Sequence, residues 1–225
     1  MKKLNWVVLL FSLSLAVHGQ PNSDLGISAG VTSYLGDINP NRLLYAPLPA
    51  GSLFYRYNFN PRQAIRGGVL LGGLRGNDLD FNNAFQRNRA ESFSGLVGEA
   101  AIQYEFNFFP YSTQGKLYDY TPYLAGGFGI ALNAAASSGL LPVIPFALGF
   151  RINLLKNMGL EAEYGFRKTF YDNFDGLKEL VAPSDYALIH NNDWYSYTGV
   201  SLTWRIMSRL AGCPAYDDVD SGRKR

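Results

Sequence analysis

Long runs in which apolar and polar residues alternate one for one constrain this chain more than any other feature. In Leu160-Glu161-Ala162-Glu163-Tyr164-Gly165-Phe166-Arg167 every second residue is apolar and the others are charged or glycine. Ile102-Gln103-Tyr104-Glu105-Phe106-Asn107-Phe108 and Phe146-Ala147-Leu148-Gly149-Phe150-Arg151-Ile152-Asn153-Leu154 repeat the pattern. A period of two sends neighbouring side chains to opposite faces of a strand, whereas a helix would need a period of 3.6. The pattern predicts strands at 24–34, 51–59, 63–74, 93–108, 121–133, 142–154, 158–170 and 193–206. Several reach the ~10 residues that a tilted strand needs to cross a bilayer. Soluble strands are commonly only ~5–6 residues long. Lipid cannot satisfy backbone groups, so membrane-crossing strands must close on themselves. The fold expected is therefore all-β: an eight-stranded antiparallel transmembrane β-barrel. A soluble β-sandwich also alternates, and strand length argues against it.

The connections support the barrel independently. Segments 60–62 and 155–157 are tight and 109–120 is intermediate, while 35–50, 75–92 and 171–192 are long and 134–141 is modest. Odd connections are the long ones, as in outer-membrane barrels with short periplasmic turns and long extracellular loops. Both mature termini are then expected in the periplasm. Tyr55, Tyr57, Phe59, Tyr104, Phe106, Phe108, Tyr111 and Trp204 fall towards the periplasmic rim, where amphipathic rings sit at the lipid–water boundary. Ahead of the barrel, Lys2-Lys3, the apolar run Trp6 to Val17 and the small residues of Val17-His18-Gly19 read as a secretory signal peptide over 1–19. A spanning helix would need ~20 apolar residues. The barrel is placed at 20–206 and a periplasmic tail at 207–225.

With the apolar sets on lipid, the interior receives Arg56, Arg66, Glu99, Glu105, Arg151, Glu161, Glu163 and Arg167. Eight strands enclose a space that side chains fill. The eight charges are expected to form an ion-pair plug, with Gly68, Gly72, Gly127 and Gly149 leaving room for the long Arg and Glu side chains. The alternative is a small channel or transport barrel. In the last strand, Tyr197, Gly199, Leu202 and Trp204 resemble the C-terminal signal by which barrels are recognised for outer-membrane assembly.

Little points to enzyme chemistry. After the signal segment the single histidine is His190, near Asp185 and Asp193, and no Gly-x-Ser-x-Gly elbow accompanies it. A lipid-modifying barrel enzyme is the weakest of the alternatives. Asn77, Asp78, Asp80, Asn82 and Asn83 lack the glycine and glutamate that complete a calcium loop, and read as turn chemistry. Gly36-Asp37-Ile38-Asn39-Pro40-Asn41 is a turn signal too. A net charge of +2 without basic blocks implies no nucleic acid. No metal, cofactor or small-molecule substrate is expected, and lipid is the expected surround. Cys213 is the single cysteine, so it has no internal partner. It is a candidate for an intermolecular disulfide, or else a free thiol.

Several motifs also match a known family in order and spacing. They are Leu35-Gly36-Asp37-Ile38-Asn39-Pro40, Tyr55-Arg56-Tyr57-Asn58-Phe59-Asn60-Pro61-Arg62, Ile65-Arg66-Gly67-Gly68, Arg75-Gly76-Asn77-Asp78, Asn83-Ala84-Phe85-Gln86-Arg87-Asn88-Arg89 and the stretch Glu99 to Phe108. Together they resemble the PorG-like outer-membrane proteins of Bacteroidetes, the DUF6089 type. The resemblance implies a non-enzymatic component of the type IX secretion system that contacts the periplasmic ring of the PorK lipoprotein and PorN. It supplies no catalytic residues. The tail around Cys213 is where a ring contact is expected.

Overall fold

Eight strands form where the alternation places them: β1 (Ser23–Leu35), β2 (Leu48–Asn60), β3 (Gln63–Asn77), β4 (Ser92–Asn107), β5 (Tyr120–Asn133), β6 (Leu141–Leu155), β7 (Met158–Thr169) and β8 (Trp194–Met207). The computed structural model describes residues 22–36, 38–39, 42–81, 87–88, 90–133, 140–170 and 194–207. Each strand pairs antiparallel with the next, and β1 pairs with β8, so the sheet is a closed barrel. At 12 to 16 residues, every strand exceeds the ~9–11 needed to cross a bilayer.

Closure puts both ends of the barrel segment at one rim, with the connections 61–62, 108–119 and 156–157. We call this the terminal end. The strand ends joined by 36–47, 78–91, 134–140 and 170–193 form the other rim, the loop end. The signal segment, His190, Asn82, Asn83 and Cys213 lie outside the described residues.

Outward positions carry the apolar residues. Ile27, Leu53, Val69, Leu71, Ile102, Phe128, Ile130, Leu148 and Val200 are all exposed, Phe128 by 75% and Leu71 by 69%. A soluble protein would not leave so continuous an apolar surface around its waist. Towards the terminal end this belt gives way to Tyr55, Phe59, Tyr104, Phe108, Tyr120 and Trp204. Phe109, Tyr120 and Phe150 pack ring against ring there. Tyr111, expected among these rim aromatics, is instead 7% exposed and turned into the terminal-end mouth. Its strand has already ended at Asn107, so strand alternation no longer governs where its side chain goes.

Candidate functional site

Inward positions fall into two layers. The one nearer the terminal end is ionic. Arg56 donates from Nε to Glu105 (2.6 Å), and from Nη1 and Nη2 to the two oxygens of Glu161 (2.6 and 2.7 Å). Glu105 also meets Arg66 Nε at 3.1 Å and Arg151 Nη2 at 3.0 Å. Arg66 Nη1 donates to Glu163 at 2.6 Å, and Tyr123 donates its phenol to the same carboxylate at 2.8 Å. Register explains the need for these acids. Arg56 and Arg66 are direct cross-strand partners on β2 and β3, and like charges so placed repel. Carboxylates from β4, the neighbour of β3, and from β7, across the lumen, neutralise them.

All eight charged residues singled out in the sequence are buried in this lumen. Two further members, Asp24 and Arg205, carry an ion pair that joins β1 to β8. Strand parity would have found both. Asp24 has the inward parity of Ser28 and Thr32, and Arg205 that of Ser201 and Thr203. The lumen network then holds five arginines (56, 66, 151, 167 and 205) against five carboxylates (24, 99, 105, 161 and 163) among the described residues. It is electroneutral. That balance suits a filled interior better than a permeation path selective for one sign of ion.

The glycines do not serve the arginines as expected. A Cβ on Gly68 would meet Phe54, one on Gly149 the Tyr123 ring, one on Gly72 the Thr32 side chain, and one on Gly127 the backbone of Ile102 and Gln103. These glycines admit aromatic rings and neighbouring strands, and the rings in turn flank the cations. Arg56 and Arg66 both lie 5.2 Å from the Phe54 centroid, and Arg151 lies 3.8 Å from that of Tyr123. Cations are stabilised at such ring faces.

The layer nearer the loop end is apolar, which alternation did not predict. Tyr34, Leu70, Leu74, Val97, Ala131, Leu141, Val143 and Tyr195 form one buried cluster inside the barrel. Ile38, from the first loop, belongs to it and is fully buried. Asn39 holds that loop by donating to the carbonyls of Tyr34 (2.9 Å) and Arg42 (2.7 Å). Between the layers remains a cavity of about 40 Å³, bordered by Ser28, Ser52, Gln103, Arg167, Tyr197 and Ser201. A water needs roughly 10–15 Å³ of such space, so the cavity suits a few waters and is no pore.

Both mouths are filled as well. At the terminal end Tyr111 and Thr113 are buried, and Asn153 clamps their turn by donating to the carbonyls of Ser112 (2.8 Å) and Lys116 (3.2 Å). At the loop end the first and second long loops are tied together. Tyr45 donates to Asp80 at 2.6 Å, and Arg42 lies 4.7 Å from the Phe81 centroid. Asn77 caps the short 3-10 helix Asp78–Asp80, its Oδ1 accepting from Leu79 N at 3.0 Å. Turn chemistry thus occupies the described part of the Asp/Asn loop. Among the described residues no His, Cys, Asp or Glu group could hold a metal.

Burial, reinforced by the hydrogen bond to Asp80, pushes the Tyr45 phenol up to about 12 from 10.0. A raised folded-state value means that the stability it confers is complete below pH 10 and lost as pH climbs towards 12. Proteolysis of the loops in embedded protein should therefore accelerate over that window. In Tyr45→Phe the loops should be cut faster at neutral pH, and the acceleration attributable to this group should vanish. An unchanged pH profile in Tyr45→Phe would count against the clamp.

Against known proteins, the family described as a domain of unknown function (DUF6089) matches residues 2–215. No curated protein matches. Among solved structures, Neisserial surface protein A (NspA) is similar with a TM-score of 0.54 at 10% identity, over 84% of this chain and 99% of that one. The N-terminal β-barrel domain of OprF from Pseudomonas aeruginosa gives 0.41 at 13% identity, over 82% and 100%. Ail, the attachment invasion locus protein of Yersinia pestis, in complex with the heparin analogue sucrose octasulfate, gives 0.42 at 13%, over 82% and 99%. The likeness to NspA is one of fold: a small outer-membrane barrel.

Proposed function

The chain belongs to the DUF6089 family, and from that premise we propose that it is a non-enzymatic outer-membrane component of the type IX secretion system. In this reading the barrel lies in the outer membrane with both mature termini in the periplasm. It anchors or contacts the periplasmic ring of PorK and PorN. The resemblance in the loop and strand motifs supplies the system. The observation that favours an anchor over a channel is the lumen, filled by two layers and stoppered at both mouths by Ile38 and Tyr111. A barrel without a through-path can act only through its lipid face, its rims and its tail. The turns at the terminal end and residues 207–225 are the surfaces offered to periplasmic partners, with Cys213 as a candidate intermolecular disulfide.

Tagged full-length protein, extracted from outer membranes in mild detergent, should bring down PorK and PorN. Removing residues 207–225 and altering the turn 108–119 together should reduce that recovery about tenfold, the equivalent of about 1.4 kcal/mol. Failure to recover either ring protein with the unaltered chain would sink the proposal. Steady conductance of the purified barrel across a planar bilayer would favour the small-channel alternative instead.

A further inference from the structure

Three turns at the terminal end form one continuous surface. Tyr111 N donates to Pro61 O at 2.9 Å, and Arg62 Nη1 to Phe108 O at 2.7 Å, joining 61–62 to 108–119. Tyr118 N donates to Asn153 O at 3.0 Å, joining the same turn to the end of β6 beside 156–157. This surface exposes Arg62, Lys116 and Lys156, and no carboxylate pairs with any of the three among the described residues. Its own acid, Asp119, is only half-exposed, and its carboxylate accepts the backbone N–H of Lys116 at 2.9 Å. Leu117 and Tyr118 are exposed by 54% and 66% between the cations. Tyr118 has φ 62°, a left-handed conformation that a bulky residue adopts only at a cost and that clusters at functional sites. The surface is cationic, apolar at its centre and held in a strained shape.

We propose that residues 216–220 of the same chain, Tyr216-Asp217-Asp218-Val219-Asp220, dock on this surface. The segment offers three carboxylates to three cations, and Tyr216 and Val219 to Leu117 and Tyr118. The path is short. Arg205 N donates to Asn157 O at 3.0 Å, so the chain leaves the barrel directly beside Lys156. From β8 to β5 is three strand spacings, about 15 Å. The nine residues from Met207 to Tyr216 reach about 30 Å when extended. The basic triplet Arg223-Lys224-Arg225 follows the acidic segment in sequence. Tethering makes the docking intramolecular, so weak individual contacts suffice. Docked there, the tail and the turns would present one joint surface at this rim.

Cys213, the one cysteine of the chain, provides the test. Full-length Gln114→Cys protein is placed in lipid nanodiscs and oxidised gently with glutathione disulfide. An intramolecular disulfide should form, and Leu79→Cys at the loop end should give none. Reversing Asp217, Asp218 and Asp220 to lysine should slow closure about tenfold, a small part of the advantage tethering provides. Adding Arg62→Glu, Lys116→Glu and Lys156→Glu should restore it. Closure indifferent to both reversals, or intermolecular dimers alone, would overturn the docking. Heat-modified gel mobility checks that each barrel is assembled. Since no ring protein is present, this result stands apart from the secretion role. Ring recovery could fail while the disulfide forms, or succeed while it does not.

Discussion

Glu105→Ala should cost about 3–5 kcal/mol of folding stability, the loss expected when one partner of a buried charge network is removed. This is a large part of the ~5–15 kcal/mol that holds a typical domain folded. Glu105 is fully buried and meets three guanidiniums, those of Arg56, Arg66 and Arg151. Its loss leaves the directly opposed Arg56 and Arg66 without the acid that sits on both. The measurement is the urea midpoint in lipid vesicles, followed by tryptophan emission. Glu105→Gln should fall between the wild type and the alanine variant, because its amide oxygen still accepts hydrogen bonds. The exposed Lys116→Ala should change stability by less than about 0.5 kcal/mol. A Glu105→Ala loss below about 1 kcal/mol would mean that the network is not what holds this half of the lumen.

The second large effect concerns the outer face. Leu71 is 69% exposed near the middle of β3, in line with Gly51 and Gly98 on the neighbouring strands. In a bilayer, Leu71→Arg should cost about 2–4 kcal/mol, the depth-dependent penalty for a cation at the midplane of a barrel. Were this face in water, the same change would stay within about 0.5 kcal/mol. Leu79→Arg, at the loop end, should be near neutral on either view. Equal tolerance at positions 71 and 79 would contradict the lipid assignment of the belt.

The strands and closure were legible in the sequence because alternation fixes which face each side chain takes. The charged lumen followed from the same parity. The apolar layer was harder to see. In Val69-Leu70-Leu71 and Gly72-Gly73-Leu74 both parities are apolar or glycine, so hydrophobic contrast vanishes there and only the parity of Arg66 on the same strand carries Leu70 and Leu74 inward. The inward burial of Ile38 and Tyr111 was hidden for another reason. Both lie off the strands, where position depends on how a loop folds back rather than on a repeat. Asp24 and Arg205 were legible in principle. Each stands at the edge of a run, where a single charge looks like a terminus rather than part of an interior.

The closest partners of Arg56 and Arg205 are far apart along the chain. Arg56 finds Glu105 49 residues on and Glu161 105 residues on, and Arg205 meets Asp24 across a separation of 181. Within single hairpins Arg56 meets Asp24 and Arg151 meets Glu161 more loosely, both at 3.8 Å, and the closest contacts of Arg56 reach β4 and β7. A sheet that entered lipid with β2 and β3 but without β4 and β7 would carry Arg56 and Arg66 into hydrocarbon without Glu105, Glu161 and Glu163, at several kcal/mol each. The seam between the first and last strands carries an ion pair as well. Closing the ring therefore does more than pair backbone: it brings the guanidiniums of β2 and β3 to carboxylates of β7 on the opposite wall.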